Sequence, residues 1–483
     1  AIAVIWGWLP ALLWVVLGAV FLGCVHDFSA LILSVRHKAR SIGDLAGDII
    51  GKKATTAYMV IMFFVVILLT AIFLRLIAGL LIRYPEVVIP AGALIVVAMG
   101  IGLLIYRTKI GLLPASIVGI ILMLLSVWIG TQQPLALSVK SPLVTWVLLL
   151  TAYGFIASVL PVWLLLQPRD YLESFKLYAG LILLFAGIFV ARPTIVAPAV
   201  RIVVEGAPPI WPFLFVTIAC GALTGFHSIV ASGTTSKQLA NEKDARFVGY
   251  GAMAGESALA LGAVIACTAG FGSREAWMAH YGSWGSAAGL WEKVGAFVDG
   301  SAGFIATLGI PESLGKTFMG LVIVAFALTT LDSACRLGRY IIAEFGRQHQ
   351  LPVLKNGYVG SAIAAGIACL LALMPGVKDN QSIGQLLWPL FGTTNQLLAA
   401  LVFATVTIYL VKRKTPHWFI SVPLVFVAIT TVSAMVWNIK KYISDGNWIL
   451  TAVGGIILIA GFTLIVSSCG SFLRAKSDTK EQA

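Results

Sequence analysis

The sequence predicts an all-α integral membrane protein, a bundle of about thirteen transmembrane helices. Three observations predict it. Only 11% of the 483 residues are charged and 59% are hydrophobic, whereas a soluble domain carries about 25% charged residues. Apolar runs of roughly 20 residues, each long enough to cross a bilayer, recur from end to end. The runs are uniformly apolar, without the alternation of a barrel strand. Their number excludes a signal peptide or a single anchor.

The expected spans lie near 10–34, 57–83, 87–106, 109–131, 142–166, 175–191, 209–235, 246–271, 314–338, 357–376, 386–411, 417–437 and 447–469. They form a single polytopic domain over 1–469, followed by a short tail, 470–483. Basic residues orient the bundle, because cytoplasmic connections carry an excess of Lys and Arg. Of the 33 lysines and arginines, 22 fall in alternate connections beginning with 35–56, and 9 in the opposite set. Arg169 and Lys176 are counted in the first set, at the connection that leads into 175–191. This places the first residue outside and the C-terminus in the cytoplasm. The net charge of +13 is thereby read as topology, and no nucleic-acid partner is expected. The partner is the lipid bilayer; the oligomeric state is left open. Six cysteines (Cys24, Cys220, Cys267, Cys335, Cys369, Cys469) lie in or beside apolar runs without a CxxC pair, so they read as small buried residues rather than a disulfide framework or metal site.

Two connections are more than links. In 41–53, Ser41 and Asp44 have capping-box spacing, although that box prefers Glu or Gln, and Ile42, Leu45 and Ile49 follow on one face. This predicts a helix on the cytoplasmic surface. The connection 272–302 carries Trp277, Tyr281, Trp284 and Trp291, which suit an anchor at the headgroup region; a lid is the other reading.

Function in a membrane protein shows where ionisable or irregular residues stay in the apolar layer. The first such place is 217–239. Gly221, Gly225 and Gly233 loosen the helix, and Thr224, His227, Ser228, Ser232, Thr234 and Thr235 supply hydroxyls and one imidazole. A helix broken here would face a ligand with freed backbone groups. A break before Thr234 would offer N–H groups to an anion, with Lys237 adding a positive charge. The competing reading is a tightly packed helix whose hydroxyls bond back to its backbone. Asp27, beside His26, and Glu256 are lone acids in spans of opposite orientation. Low dielectric favours a neutral carboxyl that carries a proton; an internal salt bridge serves the residues equally well. On 326–339, Thr329, Thr330, Asp332 and Ser333 offer oxygens to Na+ or a proton, while Asp332 and Arg336, four apart, suit a local ion pair. The run 388–397 puts Asn395 and Gln396 inside a span, as a gate or polar lining.

No soluble-enzyme motif is present. The chain has no GxxxxGKS/T loop, so ATP is not expected to drive it, and no HExxH. No cofactor or metal is expected. His227, Ser228 and Asp27 could build an intramembrane hydrolase, but nothing in their spacing favours it. A receptor would normally add an output domain, for which 470–483 is too short.

At these same segments the chain resembles the carbon starvation protein (CstA) family of membrane transporters. The stretches that carry the resemblance are WGWLPALLWVVLGAVFLGCVHDFSALILSVRHKARSIGDL, VLPVWLLLQPRDYL, TIACGALTGFHSIVASGTTSKQL, FALTTLDSACRLGRYI and WPLFGTTNQLLAAL. They keep the family order over about four-fifths of the chain. The resemblance implies a bacterial or archaeal inner-membrane importer of small carbon nutrients, with pyruvate and peptides both ascribed to family members and proton coupling the usual proposal. On that reading, 217–239 with Asn395 and Gln396 binds the substrate, and Asp27 or Glu256 carries the proton. The resemblance also implies a leucine-transporter-like inverted-repeat core. The first half-repeat would span about 1–131, inserted helices about 142–191, the second half-repeat about 209–411, and peripheral helices about 417–469. Family members carry a Gly- and Pro-rich helix before the WGWLP stretch, and this chain begins after it, so half of the expected substrate site would lie outside it. The residues themselves leave pyruvate and peptide, and H+ and Na+, unseparated.

Overall fold

The computed structural model describes residues 1–108, 111–286, 290–375 and 383–481. Of the basic residues used for orientation, Lys109 and Lys378 lie outside these, as do the side chains of Lys52, Lys53, Lys293, Lys476 and Lys480. The described residues hold no strand, only one isolated bridge between Glu205 and Ser283.

The first span runs through α1 (Trp8–Leu13), a π-wound segment (Trp14–Gly23) and α2 (Cys24–Arg36). Short α3 (Ile42–Ile49) leads into α4 (Lys52–Arg83). Then come α5 (Val88–Arg107), α6 (Leu112–Gln132), α7 (Pro142–Val159) and α8 (Leu166–Ala191). Two eight-residue helices follow, α9 (Ile210–Thr217) and α10 (Phe226–Gly233). The rest is α11 (Ala245–Ala269), α12 (Arg274–Tyr281), α13 (Leu290–Ala306), α14 (Glu312–Gln348), α15 (Gly357–Leu373), α16 (Ile383–Lys412), α17 (Trp418–Ser444) and α18 (Trp448–Glu481).

Eleven helical stretches among the described residues are long and apolar enough to cross a bilayer. Two expected spans do not meet that measure: 209–235 is split into α9 and α10, and α15 has only 17 residues. The chain is nonetheless a multi-pass helical membrane protein. Its apolar side chains sort by position. In α16, 89% of the most apolar stretch is buried and in α4 78%, against 22% in α8. α4, apolar all round, packs against α14, α15 and α16 at the centre of the bundle. The outer helices turn residues such as Phe189, Leu370 and Ile459 outward, at 71–77% exposure, as a surface bathed in hydrocarbon requires.

The capping expectation at Ser41 holds, with its hydroxyl accepting the Asp44 N–H at 3.2 Å. Ile42, Leu45 and Ile49 are buried against the bundle, so α3 packs on α4 rather than resting only on a membrane surface. The aromatic connection also differs. Trp277 and Tyr281 are fully buried, the Trp277 indole donates to the Cys267 carbonyl at 3.1 Å, and Arg201 donates to the carbonyls of Tyr281 and Gly282. These two side chains therefore cover the end of α11 and do not anchor in headgroups. Trp284 packs on Trp6 at 5.9 Å, and the Trp291 side chain lies outside the described ones.

The largest departure is at α8, which starts at Leu166 rather than near 175. Arg169 and Lys176, expected in a connection, are buried within it. Each has an internal partner: Lys176 lies 2.5 Å from Glu173, and Arg169 pairs with Asp332 on α14. The Tyr153 hydroxyl on α7 donates to Asp332 at 2.8 Å and accepts from Arg169 at 2.5 Å. Arg336, expected to pair with Asp332, instead donates to the carbonyls of Ala157 and Leu160 at the end of α7. A buried ion pair adds little over an apolar pair, but removing one partner strands a charge. Arg169→Leu should therefore cost about 3–5 kcal/mol, read as a fall in the melting temperature of the detergent-solubilised protein. Adding Asp332→Leu should recover most of the loss; a single variant that melts like the wild type would show that this pin bears no load.

Candidate functional site

The site is built on the interruption between α9 and α10. Residues 218–225 are not helical and are mostly buried, so their freed backbone groups need partners within the protein. Partners come from α16. Asn395 accepts the Phe226 N–H on Oδ1 at 2.7 Å and donates from Nδ2 to the Ala219 carbonyl at 2.9 Å. The Thr224 hydroxyl lies against the same amide, 2.8 Å from Nδ2 and 3.1 Å from Oδ1. Gln396 donates to the Phe215 carbonyl at 2.6 Å, and the Trp388 indole to that of Thr217 at 3.2 Å. Two glycines let the chains approach. A Cβ on Gly392 would lie 2.1 Å from the Val216 carbonyl oxygen, and one on Gly23 would lie 2.2 Å from that of Ala222. The π-wound segment ends at Gly23, and such windings gather at functional sites.

The interruption points His227, in the first turn of α10, at α2 and α11. Its Nδ1 is 2.6 Å from Asp27 Oδ2, and its Nε2 is 3.1 Å from Glu256 Oε2. The other Asp27 oxygen is 2.8 Å from His26 Nδ1. Four ionisable groups thus form one line, His26–Asp27–His227–Glu256. His26 and Asp27 are buried, whereas the His227 and Glu256 side chains are 26% and 19% exposed. They face a cavity of about 220 Å³ that Thr235, Val230 and Ala252 also line.

Proton counting shows what this line can do. Two ionised carboxylates only accept hydrogen bonds, and a neutral imidazole donates from one nitrogen. Both His227 contacts can be hydrogen bonds only if the Asp27–His227–Glu256 triad holds one extra proton. That proton sits either on the imidazole or on a carboxyl. Loss of it leaves one of the two contacts without a hydrogen. The contacts of the triad, which joins three helices, thus differ by one proton between its two states.

The other sequence candidates fall into three groups. Ser228 donates to the Gly225 carbonyl at 2.6 Å. Ser232 donates to that of Ser228 at 2.7 Å and accepts the Ile42 N–H at 3.1 Å. The break lies before Phe226 and not before Thr234, whose N–H still bonds the Val230 carbonyl at 2.9 Å. Ser232, Gly233 and exposed Lys237 border a second, polar cavity of about 660 Å³ with Arg40, Glu344 and Arg347. Hydrogen bonds to Asp44 and Asp48 raise the Arg40 guanidinium further above its ordinary value and occupy its charge. On α14, Thr329 and Thr330 both donate to the Phe326 carbonyl, Ser333 is half-buried, and Asp332 belongs to the Arg169 pin. Among the described residues no hydrogen bond or ion pair joins these four to the triad.

Sequence reasoning used Arg169 only for orientation and gave no role to Tyr153. The spacing Arg169, Asp170, Glu173, Lys176 in a run otherwise helical was the available signal, since oppositely charged groups three and four apart neutralise one another on a helix face.

Asn395→Leu orphans the Phe226 N–H and the Ala219 carbonyl, at about 1–3 kcal/mol for each buried group. The variant should melt earlier, and Cys220, inside the interruption, should react faster with a membrane-permeant maleimide. Unchanged melting and labelling would contradict the bracing role.

With the geometry established, similarity to known proteins is informative. The family model of carbon starvation protein CstA matches residues 1–288 and 286–434. The peptide transporter CstA of Bacillus subtilis is 33% identical, over 96% of this chain and 83% of its own length. The pyruvate/proton symporter BtsT of Escherichia coli is 32% identical, over 89% of this chain and 70% of its own. The peptide transporter CstA of Escherichia coli is 31% identical, over 89% and 69%. Among solved structures, a manganese transporter of Eremococcus coleocola aligns with 98% of this chain and 95% of its own at 11% identity, but the TM-score of 0.42 is too low to assign a fold. The chain belongs to the carbon starvation protein CstA family of membrane transporters.

Proposed function

We propose that this chain is a proton-coupled secondary transporter that imports a small carbon nutrient, a peptide or pyruvate, during carbon starvation. The observation that carries the reading is the His227 imidazole held between Asp27 and Glu256 beside an interrupted helix. Relatives named for peptide transport and for pyruvate/proton symport support it.

In this reading the triad is the proton site and His26 orients Asp27. Protonation ties α10 to both α2 and α11; proton release frees one of them and lets the cavity beside the triad change. Lys237 and Arg347 supply positive charge to the larger polar cavity for a substrate carboxylate, and Thr234 follows the lining Gly233 in the chain. Asn395, Gln396 and Thr224 act by keeping the interruption open. The hydroxyls of α14 are the site that Na+ coupling would use, but two of them are bonded to their own helix. The basic face is assigned to the cytoplasm of a bacterial or archaeal plasma membrane, with the C-terminus on it. The inverted-repeat division, with 1–131 and 209–411 as the halves, 142–191 inserted and 417–469 peripheral, belongs to the same proposal.

The test is uptake of labelled pyruvate and of a labelled dipeptide into proteoliposomes under an imposed pH gradient. The expected result is gradient-dependent accumulation of one of them, reduced at least tenfold by His227→Ala in protein that still folds and inserts; loss of transition-state stabilisation worth 1.4 kcal/mol gives about that factor. Wild-type uptake by His227→Ala would sink the site assignment, and accumulation indifferent to the gradient would sink proton coupling.

A further inference from the structure

A second groove lies on the far side of α2 and α11 from the triad. It has a volume of about 770 Å³, and α2, α11, α16 and α17 wall it. Phe28 and Ile32 of α2, Val406 and Leu410 of α16, and Phe419 of α17 make its walls apolar. Phe247, one residue from the lining Arg246, is 83% exposed, so this flank is open to the membrane. The groove is crowned at one end by Arg36, Lys243 and Arg246.

Charge at that end is not balanced by the protein. Arg36 is bonded to Glu242 at 2.7 Å, so these two cancel. Lys243 and Arg246 are both exposed, and among the described residues neither has an ion-pair partner, not even Asp244 between them. Arg413 adds a third cation at the rim, 5.2 Å from the ring centroid of the lining Tyr409. A groove apolar along its length and cationic at its mouth matches one kind of molecule in a bilayer, an amphiphile with an anionic head.

We propose that this groove binds an anionic phospholipid. Its phosphate would meet Lys243 and Arg246, and an acyl chain would lie between α2 and α17. Basic pockets between transmembrane helices suit acidic headgroups, and each such residue contributes about 1 kcal/mol. The groove shares α2 and α11 with the triad: a Cβ on Gly249 would lie 2.9 Å from the Phe28 Cα, next to Asp27. The inference does not depend on which substrate is carried.

The experiment is a melting-temperature titration of the purified chain in mixed micelles with phosphatidylglycerol, phosphatidylcholine, or soluble glycerol 3-phosphate. Phosphatidylglycerol alone should raise the midpoint. Lys243→Gln combined with Arg246→Gln should need about 30-fold more of it for the same shift, the factor given by two lost contacts of about 1 kcal/mol. Both side chains are exposed, and the variant's melting without lipid checks that it folds. An equal shift from phosphatidylcholine, an undiminished shift in the variant, or the same shift from glycerol 3-phosphate would each overturn the proposal.

Discussion

A helix that stops inside a bilayer leaves N–H and C=O groups that no water can reach, each costing several kcal/mol. The span from 209 to 235 does this in the middle of the bundle, and the rest of the site depends on how that cost is met. The side chains of Asn395, Gln396 and Trp388 take up the freed groups, and Gly392 and Gly23 allow the approach. α16 must therefore be rigid and buried, which is why its polar run GTTNQ sits in the most enclosed helix of the protein. Asn395 and Gln396 of that run serve the backbone beside them, while Thr393 and Thr394 bond back to their own helix.

Once the interruption is held, His227 reaches two other helices. Asp27 lies on α2, just beyond the π-wound segment, and Glu256 lies on α11. An imidazole with a carboxylate at each nitrogen is satisfied on both sides only when the triad holds one proton beyond that of the neutral ring. On the proposed proton-coupled reading, protonation and helix packing are a single event, as a carrier needs if a proton gradient is to do work on a substrate. The Arg169–Tyr153–Asp332 pin contrasts with it: it also ties three helices, but there an arginine that does not deprotonate holds the carboxylate. The two buried networks have different chemical capacities for this reason.

Much of this was legible in the residues. The helical membrane class follows from apolar run length, and Asp27, His227 and Glu256 stood out because lone ionisable groups in a span must be matched. Their meeting was not legible, since it requires knowing which faces of α2, α10 and α11 oppose one another. The position of the interruption was displaced as well. Gly233 drew attention to Thr234, but backbone bonding carries α10 to its end, and the chain departs from the helix at 218–225. Arg169 and Lys176 displaced the expected start of α8, because charges paired inside the protein look in sequence like charges facing water. Trp277 and Tyr281 misled the reading of 272–302 as an interfacial anchor, being aromatic for burial rather than for an interface.

The central claim is that one exchangeable proton on the triad couples the gradient to transport. Glu256→Gln tests it most directly, because the amide donates permanently to His227 Nε2 and imitates the protonated triad. The measurement is paired: exchange of labelled substrate at equal concentration on both sides of a proteoliposome, and accumulation driven by a pH gradient. The account predicts that exchange survives while accumulation is lost. Gradient-driven accumulation at the wild-type ratio by Glu256→Gln would contradict it.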